Sequence, residues 1–324
     1  MSTPDLRRGD LVEVRPAAEI LATLDFDGCL EGVPFMPEML GHVGRRFMVE
    51  ARVERACDTI TQKGARRMPE TVLLDDLRCD GSAHGGCQAG CRLYWKEAWL
   101  RRVSADEPQA PSGPDDGLER RAHASTRAAG AGERELYRCQ ATELLRSTEP
   151  IGWWDPRSFG REVGCGNVGL WRFARVTVRA VLEEVLRRLH LFRDRPIEPR
   201  GEGSDSRPRT GLDLGPGELV RVRSKGEIAQ TLGANGKNRG LWFDREMLPY
   251  CGQTHTVKRR VERFIDERSG ELVELASDAV ILDGVICGGE VSYGRWFCPR
   301  AIYPWWRECW LKRADEPHVR RRSV

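Results

Sequence analysis

The stretch Gly9-Asp-Leu-Val-Glu-Val-Arg15 decides the fold, because it recurs 208 residues later as Gly217-Glu-Leu-Val-Arg-Val-Arg223. The similarity runs without a gap through residues 9–58 and 217–266, where 22 of the 50 aligned positions are identical. Unrelated sequences of average composition would share about three. The sequence therefore predicts an internal duplication, in which each copy folds in the same way.

The similarity resumes around a cysteine-rich loop. Cys79 aligns with Cys287 at the same spacing, and Cys87 aligns with Cys298 after an insertion of three residues in the second loop. His84 has no counterpart histidine, and Cys91 aligns with an isoleucine. We therefore expect the first copy to keep a full set of metal ligands and the second copy only part of one.

Both copies are predicted to be rich in β structure. Residues 11–15 and 219–223 alternate apolar and polar side chains, and residues 47–53 and 71–74 are short strand-like segments between turn residues. Short strands in this pattern favour a small barrel. The openings of the two copies resemble those of SH3-like barrels over about their first fifty residues. That resemblance implies a binding or scaffolding module, since such barrels host many functions.

The predicted fold is mainly β with a helical middle segment, in which two homologous SH3-like small β-barrel repeats are joined by linkers. Linkers are expected where large apolar side chains are scarce and Pro, Gly and charged residues dominate. The predicted segments are a first repeat with its metal loop (1–103), a disordered linker (104–135), a helical middle segment (136–192), a second linker (193–216), a second repeat (217–313) and a basic tail (314–324).

The loop of the first copy predicts a metal site. Cys79, His84, Cys87 and Cys91 follow the pattern C-x4-H-x2-C-x3-C, with glycines between them. Zinc accepts three thiolates and one imidazole in tetrahedral geometry, and glycines let a short loop fold around the ion. Zinc is therefore the first choice, and the remaining alternative without metal is a glycine-rich turn with buried thiols.

An iron-sulfur cluster is the competing interpretation. Cys79, Cys87 and Cys91 would supply three thiolates, and Cys139, which follows the first predicted linker, would supply the fourth for a [4Fe-4S] cluster. Cys139 is otherwise expected to be a packed thiol.

Composition limits the classes of partner and location. The 52 Lys and Arg residues nearly balance the 49 Asp and Glu residues, so the net charge of +3 gives no strong signal for nucleic-acid binding. No apolar run approaches the length of a transmembrane segment, and the first residues lack the apolar core of a secretion signal. We expect a cytoplasmic protein whose 11 cysteines are largely reduced.

Residues 168–192 predict a basic amphipathic helix. This helix could make peripheral contact with an anionic membrane, or its apolar stripe could dock on the barrels or on a partner. The residues of the predicted stripe are Val178, Val181, Leu182, Val185, Leu189 and Phe192.

The aromatic ends of the two copies carry tryptophans at equivalent positions. They are expected to fill the ends of the barrels, with a ligand-binding platform as the alternative. These tryptophans are Trp95, Trp99, Trp306 and Trp310.

No sequence motif identifies a reaction. P-loop, nucleophile-elbow and HExxH patterns are absent from the sequence, so whether the protein is an enzyme is left open. The predicted function is that of a metal-binding protein acting as a binding, scaffolding or accessory module with a protein partner. The alternative is an iron-sulfur redox or sulfur-handling enzyme with its cluster on Cys79, Cys87, Cys91 and Cys139.

Overall fold

The computed structural model describes residues 5–62, 64–109, 115–128, 135–152, 155–188, 201, 211–275, 278–292 and 294–314. As predicted, the chain is mainly β with few helices. It divides into two compact units. Unit 1 comprises Met1–Val185, Arg263–Glu274 and Gly288–Ile302, and unit 2 comprises Leu186–Glu262, Leu275–Cys287 and Tyr303–Val324.

Most strands are short. In chain order they are β1 (Leu11–Val14), β2 (Cys29–Leu30), β3 (Val33–Pro34), β4 (Arg46–Arg52), β5 (Ala56–Cys57), β6 (Ala65–Arg67), β7 (Thr71–Arg78), β8 (Arg92–Lys96), β9 (Leu100–Arg102), β10 (Arg127–Ala128), β11 (Leu136–Tyr137), β12 (Glu149–Ile151), β13 (Leu219–Val222), β14 (Lys237–Asn238), β15 (Leu241–Trp242), β16 (Thr254–Arg260), β17 (Arg263–Ile265), β18 (Leu272–Glu274), β19 (Ala279–Leu282), β20 (Trp306–Arg307) and β21 (Leu311–Arg313).

The helices are fewer. The α-helices are α1 (Ala17–Leu21), α2 (Asp116–Ser125), α3 (Pro156–Gly164), α4 (Leu170–Arg188) and α5 (Lys225–Ala229). Four 3₁₀ helices cover Pro37–His42, Glu97–Trp99, Arg245–Tyr250 and Glu308–Trp310.

Each unit contains one five-stranded antiparallel sheet, and the two sheets have the same strand order. The order is β8-β7-β4-β1-β9 in unit 1 and β20-β19-β16-β13-β21 in unit 2. The registers also agree: Leu11 faces Met48 in the first sheet, and Leu219 faces Thr256 in the second. Each sheet has a register shift at the equivalent place, within β4 and within β16. Residues separated by 208 positions therefore occupy equivalent places in the two sheets.

Tryptophans fill the core of each sheet. Trp95, Trp99, Trp306 and Trp310 are all fully buried. In unit 1, Phe35 meets Trp99 edge to face at 5.2 Å between ring centroids, a preferred aromatic geometry. These tryptophans pack inside the fold as expected and do not form an exposed platform.

Two of these four buried indoles have a hydrogen-bond partner, whereas Trp95 Nε1 and Trp306 Nε1 have none among the described residues. Trp99 Nε1 donates to Thr23 Oγ1 at 3.0 Å, and Trp310 Nε1 donates to Thr231 Oγ1 at 2.9 Å. Because a buried N–H without a partner costs free energy, these threonines stabilise the aromatic core.

Part of the segment predicted as a linker, residues 104–135, contains helix α2. The Asp115 side chain accepts hydrogen bonds from the backbone N–H groups of Gly117 and Leu118, which is an N-cap. Leu118 and Ala122, one helical turn apart, are buried in the unit 1 core. Two apolar residues were therefore enough to anchor a helix in a polar segment. Most of the linker predicted at 193–216 and almost all of the tail at 314–324 lie outside the described residues.

Helix α4 covers most of the helix predicted at 168–192, but a different face of it is buried. Val176 and Ala180 pack with Trp296 and Phe297. The predicted stripe is exposed instead, with exposed fractions of 58% for Val178, 43% for Val181, 55% for Leu182 and 46% for Val185. Leu189 and Phe192 lie outside the described residues. Within the described part of the chain, no helix combines the length and apolar content needed to cross a bilayer.

Unit 1 includes two segments that the sequence assigned to the second repeat. In the first, which is the β17–β18 hairpin, the Ile265 N–H donates to Cys87 Sγ at 3.4 Å. In the second, residues 288–302, Cys298 Sγ accepts a hydrogen bond of 3.1 Å from the Cys57 N–H. Ile265 lies 208 residues after Cys57, and Cys298 lies 211 residues after Cys87. The same contact is therefore made twice, each time between one copy's loop and the other copy's strand. The predicted repeat boundaries miss this exchange.

Candidate metal site

All five sequence-predicted ligand residues line one cavity in unit 1. The cavity has a volume of about 50 Å³, and its walls include Cys79, His84, Cys87, Cys91 and Cys139. Cys139 is 48 residues from Cys91 in sequence, so the chain returns to the loop through the middle segment. A space of this size accommodates one or two water molecules or an ion with a small ligand.

The ends of β7 and β8 hold the cysteine loop closed. The Cys79 N–H, directly after β7, donates to the Cys91 carbonyl directly before β8 at 2.8 Å. Inside the loop, the Gly81 carbonyl accepts from the N–H groups of His84 at 3.2 Å and Gly86 at 2.9 Å. This tight turn directs His84 into the protein, where only 1% of the residue is exposed.

Gly81 is required by this turn for two reasons. Its φ of 77° lies in the left-handed region that side chains disfavour. A Cβ at this position would also lie 2.6 Å from the Cys87 backbone nitrogen and closer still to its carbonyl oxygen. The equivalent Gly289, with φ of 61°, packs in the same way against Cys298.

Glu38, Cys79 and His84 form the tightest group of metal-ligating side chains. Their ligand atoms all lie within 4.8 Å of one another. Cys79 Sγ is 3.3 Å from His84 Nε2 and 3.8 Å from Glu38 Oε1, and His84 Nδ1 is 3.0 Å from Glu38 Oε1. Neighbouring ligands of a tetrahedral zinc ion lie about 3.3–3.8 Å apart, given metal–ligand bonds of about 2.0–2.3 Å. The distances from Cys79 to His84 Nε2 and to Glu38 fall in this range, whereas His84 meets Glu38 through its other ring nitrogen. The group is therefore compact enough to share one ion.

Two side chains of this group are buried and face each other. The side chains of Glu38 and His84 are only 3% and 2% exposed. His84 Nδ1 lies at ion-pair distance from Glu38 Oε1 and faces this carboxylate. Among the described residues, Glu38 Oε2 has no hydrogen-bond partner. Buried polar groups are normally satisfied, so this acceptor oxygen is suited to a cation.

The electrostatics of the group favour a cation as well. Burial raises the pKa of the Glu38 carboxyl, but the contact with His84 and the N–H of Ala83 outweigh burial, so the pKa lies below its ordinary value. Burial raises the pKa of the Cys79 thiol far above its ordinary value, and the Glu38 charge raises it further. A metal ion that displaces the thiol proton would offset both the burial of the Cys79 sulfur and its repulsion from the Glu38 charge, because metal binding and deprotonation are coupled.

The remaining cysteines stand around the same cavity. Burial raises the pKa of Cys139 to about 11 and raises the pKa of Cys91 well above its ordinary range. Within the described ranges, neither these two thiols nor Cys87 join the compact group of Glu38, Cys79 and His84. The structure thus places all five predicted residues around one cavity. Of these five, Cys79 and His84 are the two that belong to the compact group with Glu38. The ligand role of each residue stays a prediction.

An ion pair completes the cavity wall. Arg300 Nη2 donates to Glu267 Oε1 at 3.0 Å, and both residues line the cavity. Both also come from the second-half segments that belong to unit 1. The cavity wall therefore combines soft ligands with this buried ion pair, and a second buried arginine, Arg92, also lines it.

Glu38 is the residue that sequence reasoning missed. It lies 41 residues before Cys79, outside any ligand spacing pattern. The available signal was the duplication itself, since Glu38-Met-Leu40 recurs unchanged as Glu246-Met-Leu248. Of the cysteines that align with the loop, Cys287 belongs to unit 2 and Cys298 to unit 1.

No family model, curated protein or solved structure matches this chain. The site must therefore be interpreted from its own geometry.

Proposed function

We propose that the protein binds a metal ion at the group formed by Glu38, Cys79 and His84. The single observation that carries this proposal is the convergence of a carboxylate, a thiol and an imidazole within 4.8 Å, where Glu38 and His84 are buried and Glu38 Oε2 has no hydrogen-bond partner among the described residues. Zinc is the first choice, because it accepts oxygen, sulfur and nitrogen ligands together in tetrahedral sites.

Glu38 can take one of two roles in such a site. It can bind the ion directly, or it can hold the His84 ring through Nδ1 so that Nε2 faces the ion beside Cys79. Carboxylates commonly orient metal-binding imidazoles in this second way. Loss of a carboxylate that only orients the ring weakens metal affinity by about 10–100-fold, and loss of a direct ligand is expected to cost more.

We further propose that the ion stabilises the loop of a binding or scaffolding module. The loop has little apolar content of its own, so metal binding would contribute to its folding. The equal strand order of the two sheets is what supports two duplicated repeats, and their likeness to SH3-like barrels remains part of this proposal. Eleven cysteines in one chain support a reducing, cytoplasmic setting. A protein partner for this module is part of the same proposal.

One observation favours the iron-sulfur alternative. Cys79, Cys87, Cys91 and Cys139 all line the same cavity, although Cys139 is remote in sequence. Four thiolates around one space are the usual ligand set of a [4Fe-4S] cluster. This alternative would make the protein a redox or sulfur-handling enzyme.

The test is metal analysis of protein purified without oxygen, with an absorption spectrum of the same sample. The proposal expects about one zinc per chain and no visible colour. His84→Ala and Cys79→Ser should lose the zinc, whereas Cys139→Ser should keep it. Replacement of zinc by cobalt should give a charge-transfer band with the intensity of one thiolate if Glu38, Cys79 and His84 are the ligands, and of three thiolates for a Cys3His site.

Cys29→Ser is the control, because Cys29 is a buried thiol of unit 1 that does not line the cavity. It should retain the metal at the wild-type level. Iron with labile sulfide that disappears in Cys139→Ser would replace the zinc proposal with the cluster. Metal-free wild-type protein that does not take up added zinc or iron would refute both.

A further inference from the structure

Cys57 and Cys298 meet inside unit 1, away from the proposed metal group. The Cys57 N–H donates to Cys298 Sγ at 3.1 Å, and the two residues are only 2% and 7% exposed. They are 241 residues apart in sequence, and both are present as thiols. Neither belongs to the group of Glu38, Cys79 and His84.

A buried arginine stands beside this pair. Arg300 is 4% exposed, and its Nη1 lies 4.0 Å from Cys57 Sγ. The same guanidinium donates to the Cys57 carbonyl at 3.1 Å and to Thr59 Oγ1 at 2.8 Å, and Glu267 accepts from its other end. These contacts fix a positive charge next to the sulfur, where it stabilises a thiolate.

The environment makes Cys57 an acidic thiol. The hydrogen bond from the Cys298 thiol and the charge of Arg300 lower the pKa of Cys57 below its ordinary value, although burial opposes them. By contrast, burial raises the pKa of Cys165 to about 11. Cys165 is 8% exposed, so it matches the pair in burial and differs in charge.

The duplication provides an internal comparison. At the equivalent contact, Cys87 Sγ accepts a hydrogen bond from the Ile265 N–H, so an isoleucine stands in the place of Cys57. The backbone arrangement is therefore shared, and only the contact between Cys57 and Cys298 places two thiols together. The pair of thiols therefore occurs at one of the two equivalent contacts and not at the other.

We infer that Cys57 and Cys298 form an oxidisable dithiol, which a peroxide converts to an intramolecular disulfide. The Cys57 thiolate attacks one oxygen of the peroxide, the O–O bond breaks, and the released hydroxide takes a proton to become water. The Cys298 thiol then loses its proton and its sulfur attacks the Cys57 sulfenic acid, which releases a second water. In the balance, two thiols lose two electrons and hydrogen peroxide is reduced to two waters.

The product would lock residues 288–302 to strand β5. Because segment 288–302 belongs to unit 1 through noncovalent contacts, a covalent link would restrict its separation from β5. It would also close a loop of about 240 residues in the unfolded chain, which stabilises the folded state in the chain-entropy account.

The experiment treats the reduced full-length protein with hydrogen peroxide at pH 7, followed by alkylation in denaturant, digestion and mass spectrometry. We expect a linked peptide pair that contains Cys57 and Cys298. Cys57 should react faster than Cys165, because the positive charge of Arg300 favours its thiolate, whereas burial disfavours the thiolate of Cys165. Met48, which is 42% exposed, should become a sulfoxide and so report that the oxidant acted.

Two variants separate the steps. In Cys298→Ser, dimedone should trap a sulfenic acid on Cys57, and in Cys57→Ser, Cys298 should remain a thiol. His84→Ala should form the disulfide as the wild type does, so a failure of the metal proposal would not affect this result. The inference is overturned if Met48 is oxidised while Cys57 and Cys298 stay thiols, or if the disulfide joins other cysteines. The wild-type digest alone decides this, even if a variant does not fold.

Discussion

Gly81→Ala is the sharpest test of how the cysteine loop is built. In the structure, Gly81 has φ of 77° and packs directly against the backbone of Cys87. A methyl group there would lie 2.6 Å from the Cys87 nitrogen. Because the obstructing atoms are backbone, no side-chain rotation can relieve the contact. The substitution therefore forces the loop itself to move.

The expected cost has two parts. A left-handed φ costs an alanine about 1–2 kcal/mol relative to glycine. Overpacking in a tight site adds about 1–3 kcal/mol. The lower conformational entropy of the unfolded chain returns about 0.5–1 kcal/mol. We expect Gly81→Ala to lower the free energy of unfolding by about 2–4 kcal/mol, and to weaken metal binding because His84 donates its N–H to the Gly81 carbonyl.

Gly9→Ala separates the two parts of this cost. Gly9 also has a positive φ, 91°, but a Cβ there would meet no atom within 4 Å. It should therefore show only the backbone term, about 1 kcal/mol, and leave metal content unchanged. The assay is urea unfolding followed by circular dichroism, together with zinc content. If the two variants lose the same stability and both keep the metal, the loop does not close against Cys87 as described.

Two further predictions concern the buried polar groups. Burial raises the pKa of Glu162 to about 8, so the folded protein holds the carboxyl proton more tightly than the unfolded chain does. The stabilisation that this proton contributes is fully present below about pH 4.5 and is lost as the pH rises toward 8. Glu162→Gln should remove this loss. Relative to wild type, the variant's free energy of unfolding, measured with urea, should gain a few kcal/mol between pH 5 and pH 8.5, about 5 at most. A difference from wild type that is the same at both pH values would contradict this prediction. Thr23→Val and Thr231→Val should each cost about 1–3 kcal/mol, since each leaves a buried indole N–H of Trp99 or Trp310 unpaired. A loss below about 0.5 kcal/mol for both would show that these hydrogen bonds do not stabilise the cores.

Local sequence pattern predicted those parts of the fold that each copy builds from its own residues. Residues 11–14 and 219–222 were expected as equivalent strands, and they are the fourth strands of two sheets with one common order. The tryptophans at the ends of the copies were expected inside, and they are buried. Both inferences depend on residues close in sequence or on a fixed spacing, which are the signals that periodicity and repetition carry.

Long-range packing determined what the pattern could not show. The helix predicted around α4 is present, but the predicted stripe is not its buried face, because Val176 and Ala180 are the residues that meet Trp296 and Phe297, more than 100 residues away. Nothing in the helix itself selects one apolar face over another when the partner is unknown. Glu38 was missed for the same reason, since its position near Cys79 depends on how a 3₁₀ helix and a later loop come together.

The exchange between repeats explains why the two halves can differ in chemistry while sharing a backbone design. Each cysteine loop places one sulfur on a backbone N–H from the other half: Cys87 on Ile265, and Cys298 on Cys57. In both loops this hydrogen bond and the buried glycine turn help to hold the sulfur of Cys87 or Cys298 in place. One half is then free to gather an imidazole and a carboxylate around Cys79, and the other to pair two thiols beside Arg300. The two contacts share one backbone arrangement but carry different residues at equivalent positions. This difference explains why the two proposed sites are not alike.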